Sequence, residues 1–182
     1  MMPVDERYPH IPTRLARFDE LDELTVIEMD AAEALIEAGV PFPDEPHPLA
    51  HDQLAACLSE GLLFVAVDES DRPIGFLAAE EIDGRLYIAE IDVLRRYQRR
   101  GIGRGLIGTA LDAARRRGFS AAMLTTDRFV PFNYPFYASL GFHEPGPKAA
   151  PAALKAILDK EIASGMGADR RAGMVLKFRT EE

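Results

Sequence analysis

Between Gln98 and Gly108 the sequence reads QRRGIGRGLIG, four glycines and three arginines in eleven residues. Glycine lets backbone amides approach a ligand with no Cβ in between, and the first amides of a helix have no partner within it. A helix beginning inside this stretch would offer those amides as an anion site, with Gly101, Gly103 and Gly105 keeping the approach open. Arg99, Arg100 and Arg104 add planar, charge-assisted donors. That combination suits a pyrophosphate. A second chemically loaded position is Glu90, an acid flanked by apolar residues in YIAEIDV. A carboxylate in the middle of such a strand is costly unless it is paired or useful. Glu90 is therefore either a general base or a carboxylate tied to a neighbouring arginine or amide.

The cationic stretch is out of character with the chain, whose 182 residues carry a formal net charge of -9. Between Arg95 and Arg117 eight arginines stand against the single acid Asp112, so the remainder carries more than twice as many acids as bases. An acidic protein with one focused basic patch does not suit nucleic acid; it suits a compact polyanion such as a phosphate-bearing cofactor. Arg115, Arg116 and Arg117 precede Gly118 and read as cations at a helix C-terminus rather than as ligand contacts. The one cysteine, Cys57, excludes an internal disulfide and reads as a core residue. The four histidines (His10, His47, His51 and His143) make no metal-ligand spacing with it, and no metal is expected. The N-terminus has no apolar signal core, and no run of about eighteen apolar residues occurs. A cytoplasmic protein with no membrane or nucleic-acid partner is the expectation.

The elements that must position these groups follow from periodicity. TRLARF alternates as an opening strand, and Leu24, Ile27, Ala31, Ala34, Leu35 and Ala38 recur at helical spacing up to Gly39. VPFPDEPHP is irregular by its prolines, and Leu49, Leu54, Cys57 and Leu58 outline a second short helix ending at Gly61. LLFVAV, PIGFLAAEE and RLYIAEIDVL are three strands joined by turns short enough for antiparallel hairpins. In the last of these, alternation places Glu90, Asp92 and Leu94 on one face and Ala89, Ile91 and Val93 on the other. A helix carrying Leu106, Ile107, Ala110, Leu111 and Ala114 then starts inside the glycine stretch and stops at Gly118. SAAMLTTD and RAGMVLKFR complete the strands, PFNYPFYASLG leads into a short helix, and residues 151–164 form an amphipathic extra surface helix, structural or dimer-forming. The whole is one domain of the α/β (α+β) class, a mixed sheet with helices on both faces.

Two nucleotide motifs compete for the glycine stretch. A P-loop would need Lys followed by Ser or Thr after its last glycine, and neither is there. GRGLIG, Gly103 to Gly108, does spell the G-x-G-x-x-G of a dinucleotide-binding oxidoreductase, with Asp127 at the end of the next strand. Against it, RRYQRR separates the strand from the glycines, three hairpin-linked strands precede them, and too little chain follows for further strand-helix units.

With IDVLRRYQRRGIGRGLI and NYPFYASLGF both in place, the sequence resembles the GNAT superfamily of N-acetyltransferases. The resemblance runs from about Thr13 to Arg179 and is specific at two places, Q-x-x-G-x-G at Gln98 to Gly103 and F-Y-x-x-L-G-F at Phe136 to Phe142. VPFNYPFY is similar to a subgroup with a P-aromatic-N-x-P-F-Y loop. The resemblance implies a mixed, mostly antiparallel central sheet and acetyl-CoA as co-substrate. It implies that the backbone of Ile91, Asp92 and Val93 pairs with the pantetheine arm, and that the amides of Gln98, Arg99, Arg100, Gly101, Ile102, Gly103 and Arg104 hold the pyrophosphate. Tyr137 matches the family's acid for the departing thiolate, and Glu90 becomes the candidate base. The asparagine that many relatives place seven residues before the tyrosine is Val130 here. Asn133 either takes over its contact with the cofactor arm or caps the helix.

The activity so implied is direct transfer of an acetyl group to a primary amine, of a small molecule or a protein, with homodimerisation common among relatives. A non-catalytic acyl-CoA sensor is the alternative of a different class. Asp44, Glu45, Glu80, Glu81 and Asp83 are either a field that attracts a cationic amine or plain surface acids.

Overall fold

The computed structural model describes residues 11–40 and 48–178. Asp44, Glu45, His10 and His47 lie outside those residues. Six strands form one sheet in chain order: β1 (Thr13–Leu15), β2 (Leu63–Val67), β3 (Pro73–Ile82), β4 (Arg85–Val93), β5 (Ala121–Asp127) and β6 (Arg171–Lys177). Every neighbouring pair is antiparallel except β4 and β5. Asp83 and Gly84 turn the β3–β4 hairpin with φ of 52° and 68°, the positive pair that a two-residue turn needs to match strand twist. The meander read from the sequence is the one observed.

Helices α1 (Leu21–Glu37) and α2 (His51–Ser59) cover one face, and α3 (Ile102–Arg116) covers the other. All five residues of β2 are buried because both faces are covered. Leu63, Val65 and Val67 pack with Leu24, Ile27, Leu54 and Cys57, while Phe64 and Ala66 join Leu106, Ile107 and Leu111 of α3. Each fully buried leucine in these layers contributes about 2 kcal/mol through area removed from water. Among the described residues, no helix is long and apolar enough to cross a membrane.

Two features depart from a regular reading. Residues 152–163 (α5) are not merely an added surface helix: Leu154 is buried with Ala121, Met123 and Val175 of β5 and β6. A side chain at Gly173 would approach Leu158 to 2.8 Å and Leu154 to 3.0 Å, so a glycine there is what lets α5 lie close on the strand. In β4 the register shifts: Ile88 pairs with Ala79 but Glu90 pairs with Ala78, leaving Ala89 as an extra residue. This bulge changes which parity faces which layer. Leu86 and Ile88 pack on the α3 side before it and Ile91 and Val93 after it, so Glu90 and Asp92 turn to the α1 side.

The start of α1 is pinned by a buried acid. Glu20, 8% exposed, accepts hydrogen bonds from Arg14 at 2.6 and 3.0 Å and from the Arg17 amide at 2.7 Å, and Arg14 and Arg17 also hold Asp71 of the β2–β3 turn. Replacing Glu20 by Ala is expected to lower stability by roughly 2 kcal/mol, since it removes two charge-assisted bonds from Arg14, which keeps Asp71, and takes the acceptor from the Arg17 amide. Chemical denaturation of the variant measures the loss; an unchanged midpoint would show the network to be ornamental.

Candidate active site

β4 and β5 pair only at Leu86 with Ala122 and at Tyr87 with Met123, after which the two parallel strands part. From Ile88 to Val93, β4 keeps β3 on one edge and, among the described residues, has no strand on the other. The gap opens into a cleft of about 1390 Å³ walled by Ala89 to Val93 of β4 and by Thr125 and Thr126 of β5. Its other walls come from the C-terminal half of α1, the start of α3, and α4 (Tyr134–Ser139).

Past the end of β4, Arg95–Tyr97 make one short 3-10 turn before the glycine-arginine stretch. Gln98 folds back and donates from Nε2 to the Val93 carbonyl at 3.0 Å, and Arg95 clamps the turn to α1 through Asp30, Glu33 and Glu37. Gly101 then takes φ 79°, a left-handed conformation that glycine adopts without a Cβ penalty, and α3 begins at Ile102. The Gly105 amide donates to the Gly101 carbonyl, whereas the amides of Arg99 through Arg104 have no acceptor among the described residues. These amides, at the positive end of a fifteen-residue helix and beside Arg99 and Arg104, form a cradle for a phosphate group. Arg100 differs from expectation. Its guanidinium turns onto the Arg96 carbonyl and the Tyr97 ring, and Arg100 does not line the cleft.

Opposite the open edge stands α4. Asp127 accepts the amides of Phe129 and Val130 and the Nε of Arg170, which folds the loop that delivers Asn133 and Tyr137. Asn133 occupies the N-cap position of α4, yet its side chain makes no capping bond and lines the cleft instead. Tyr137 is wedged between Phe136 and Phe142, with ring centroids at 5.3 and 6.2 Å. Burial, reinforced by the nearby charges of Glu90 and Asp92, holds its phenol well above the ordinary tyrosine range, so it keeps its proton at any working pH. Glu90 and Asp92 face α1 across from Glu28, with carboxylate oxygens of the three within 4.8 Å of one another. Burial raises all three carboxyls; Glu28 is pushed up to about 7 by burial and by the charge of Glu90. No histidine or cysteine joins this group among the described residues.

The model of the acetyltransferase (GNAT) family matches residues 22–142, well over half of the chain, from α1 to just beyond α4. The chain belongs to the acetyltransferase (GNAT) family. Solved structures agree on the fold. The PaiA N-acetyltransferase of Thermoplasma acidophilum, in complex with coenzyme A, superposes with a TM-score of 0.69 at 14% identity, covering 93% of this chain and all of that one. The ribosomal-protein-S18-alanine N-acetyltransferase of Escherichia coli gives 0.66 at 18% identity over 95% and 97% of the two chains. N-acetylglutamate synthase of Neisseria gonorrhoeae, complexed with coenzyme A and N-acetyl-glutamate, gives 0.70 at 16% identity over 94% of this chain and 36% of that one.

In this GNAT chain the residues singled out from the sequence gather in one place: Glu90, Ile91, Asp92, Val93, Gln98, Arg99, Gly101, Ile102, Gly103, Arg104, Asn133 and Tyr137 all line the cleft. The glycines of the dinucleotide spelling lie within α3, and the sheet is mostly antiparallel, so the oxidoreductase alternative falls. Glu80, Glu81 and Asp83 do not line the cleft; Glu80 instead holds Gln53 of α2 at 2.9 Å. The helix-end arginines are used locally, Arg115 on Asp112 and Arg117 on the carbonyls of Glu60 and Gly61. Three site groups escaped sequence reasoning. Glu28 carried a signal, being an acid on the apolar face of α1 beside Leu24 and Ala31. Glu161 and Arg171, joined at 2.9 Å and both at the cleft, meet Thr125 only through the packing of α5 on the sheet.

Proposed function

We propose that this protein is an acetyl-CoA-dependent N-acetyltransferase that moves the acetyl group directly to a primary amine, as a single catalytic unit of the cytoplasm, in the subgroup with the P-F-N-x-P-F-Y loop. The observation that carries the reading is the continuity of the unpaired edge of β4 with the free amides at the start of α3, in the same cleft as Tyr137 and Glu90. An open strand edge can hydrogen-bond an amide-bearing arm, and the helix start can hold its pyrophosphate. Ile91, Asp92 and Val93 serve the first contact, and the amides from Arg99 to Arg104 the second, the Gln98 amide being held by the Arg95 carbonyl at 3.3 Å, with Asn133 beside the arm.

Acetyl-CoA supplies the activated thioester carbonyl. An amine attacks only through its free lone pair, and near neutral pH most amines are ammonium ions, so a base must first take a proton. Glu90 is that base, directly or through water, because burial holds its proton affinity above the ordinary carboxylate value. Tyr137, held neutral, gives its proton to the departing thiolate. The electrostatics support a cationic acceptor. At the reacting end Glu161 is paired with Arg171, leaving Glu90 and Asp92 as the acids without an arginine partner, while Arg99 and Arg104 lie at the phosphate end.

Calorimetric titration with acetyl-CoA, with NAD as the control, tests the cofactor reading, and thiol release against an amine panel tests the chemistry. Micromolar binding of acetyl-CoA but not NAD, with turnover of at least one amine, is the expected result. Absence of acetyl-CoA binding would overturn the proposal, and binding without turnover on small amines or basic peptides would favour a sensor.

A further inference from the structure

Glu28 has no part in the chemistry assigned so far, yet it is fixed as firmly as a site residue. It is 8% exposed, and the Leu49 amide donates to both of its carboxylate oxygens, at 2.9 and 3.1 Å. Its carboxylate lies within 4.8 Å of those of Glu90 and Asp92, the two acids that the β4 bulge turns toward α1. An acid packed into an apolar helix face and held by an amide beside two other acids is not explained by packing. Three like charges so close cannot all persist in a site partly removed from water, and such groups titrate as a set.

The other groups facing the pair come from every surrounding element. Arg171 of β6 draws protons away, although its Nε is paired with Glu161 of α5 at 2.9 Å. Glu161 has the opposite influence on Glu90, Tyr87 lies on β4 itself, and the neutral phenol of Tyr137 comes from α4. Glu28 and Arg171 therefore act on the pair with opposite sign. We infer that Glu28 is a positioning residue that keeps one proton shared within the Glu90–Asp92 pair, so that the pair presents a single carboxylate to the acceptor. Burial raises both carboxyls, and Asp92 feels the charge of Glu28 as well as that of Glu90. The use of that carboxylate rests on the acetyl-transfer reading; the sharing of the proton does not.

The test is therefore made first without turnover. Side-chain carboxyl titration by carbon-13 NMR in the unliganded protein is expected to show the pair moving down by about one pH unit or more in Glu28→Gln, which keeps an acceptor for Leu49. In Arg171→Gln the pair moves up. The acidic limb of the rate profile follows in the same directions, with acetyl-CoA affinity within about twofold of the parent in Glu28→Gln. A pair that titrates unchanged in Glu28→Gln, or a rate lowered equally at all pH values with the limb in place, would overturn the inference. Shifted titration together with no turnover on any amine would leave the proton-sharing intact and remove the acetyl-transfer reading instead.

Discussion

Tyr137→Phe is expected to lower kcat by about 100-fold or more while leaving acetyl-CoA affinity within about twofold. The substitution removes one hydroxyl and keeps the ring that packs against Phe136 and Phe142, so the local fold is preserved. What disappears is a proton donor that burial and two neighbouring acids keep protonated across the whole working range. A thiolate leaving without that proton is a poor leaving group in a cleft screened from water, which is why the loss falls on the chemical step and not on binding. Stopped-flow thiol release with calorimetry on the same preparation checks it. Retention of turnover within a few-fold would sink the assignment of Tyr137 as the acid.

Gly103→Asp is expected to abolish measurable acetyl-CoA binding, by at least about 100-fold, without destabilising the protein. The argument turns on position. Gly103 is in the first turn of α3, and a Cβ there would make only ordinary contacts, 3.6 Å to Phe136 and 3.9 Å to Ile91. An aspartate in the first turn is favourable to the helix itself, because its charge meets the positive end of the backbone dipole. The same charge would repel a pyrophosphate on the free amides of Arg99 to Arg104. Unchanged or raised thermal stability with lost binding would tie the cradle to the cofactor; full affinity in the variant would show that the phosphates lie elsewhere.

Much of the fold was legible because its signals are local. The hairpin turn is written in Asp83-Gly84, the stop of α3 in Gly118, and its start in the run of glycines, each a constraint satisfied within a few residues. The bulge in β4 was only half legible. The apolar parity of RLYIAEIDV switches between Ile88 and Ile91, but that Ala89 is the extra residue depends on how β3 pairs with it. Arg100 was misjudged because a guanidinium can fold back onto its own turn, which charge counting does not register. The contact of Arg171 with Glu161 and Thr125 was invisible for a different reason. It joins α5, β5 and β6, and α5 read in isolation looks like an added surface helix, since what receives it is the missing side chain of Gly173.

The three clustered carboxyls also tilt the balance between folded and unfolded chain. Glu28, raised to about 7 by burial and the Glu90 charge, binds its proton more tightly when folded, and Glu90 and Asp92 do likewise. The stability they contribute is complete below the ordinary glutamate value of 4.5 and is lost as pH rises through the folded value. Glu20 runs the other way. Burial alone would raise it, but its bonds from Arg14 and Arg17 hold it low, so its contribution is present above 4.5 and fades in stronger acid. The two sets pull the pH dependence of stability in opposite directions, so a proton lost from the cluster weakens the fold as it frees a carboxylate to accept one from an amine.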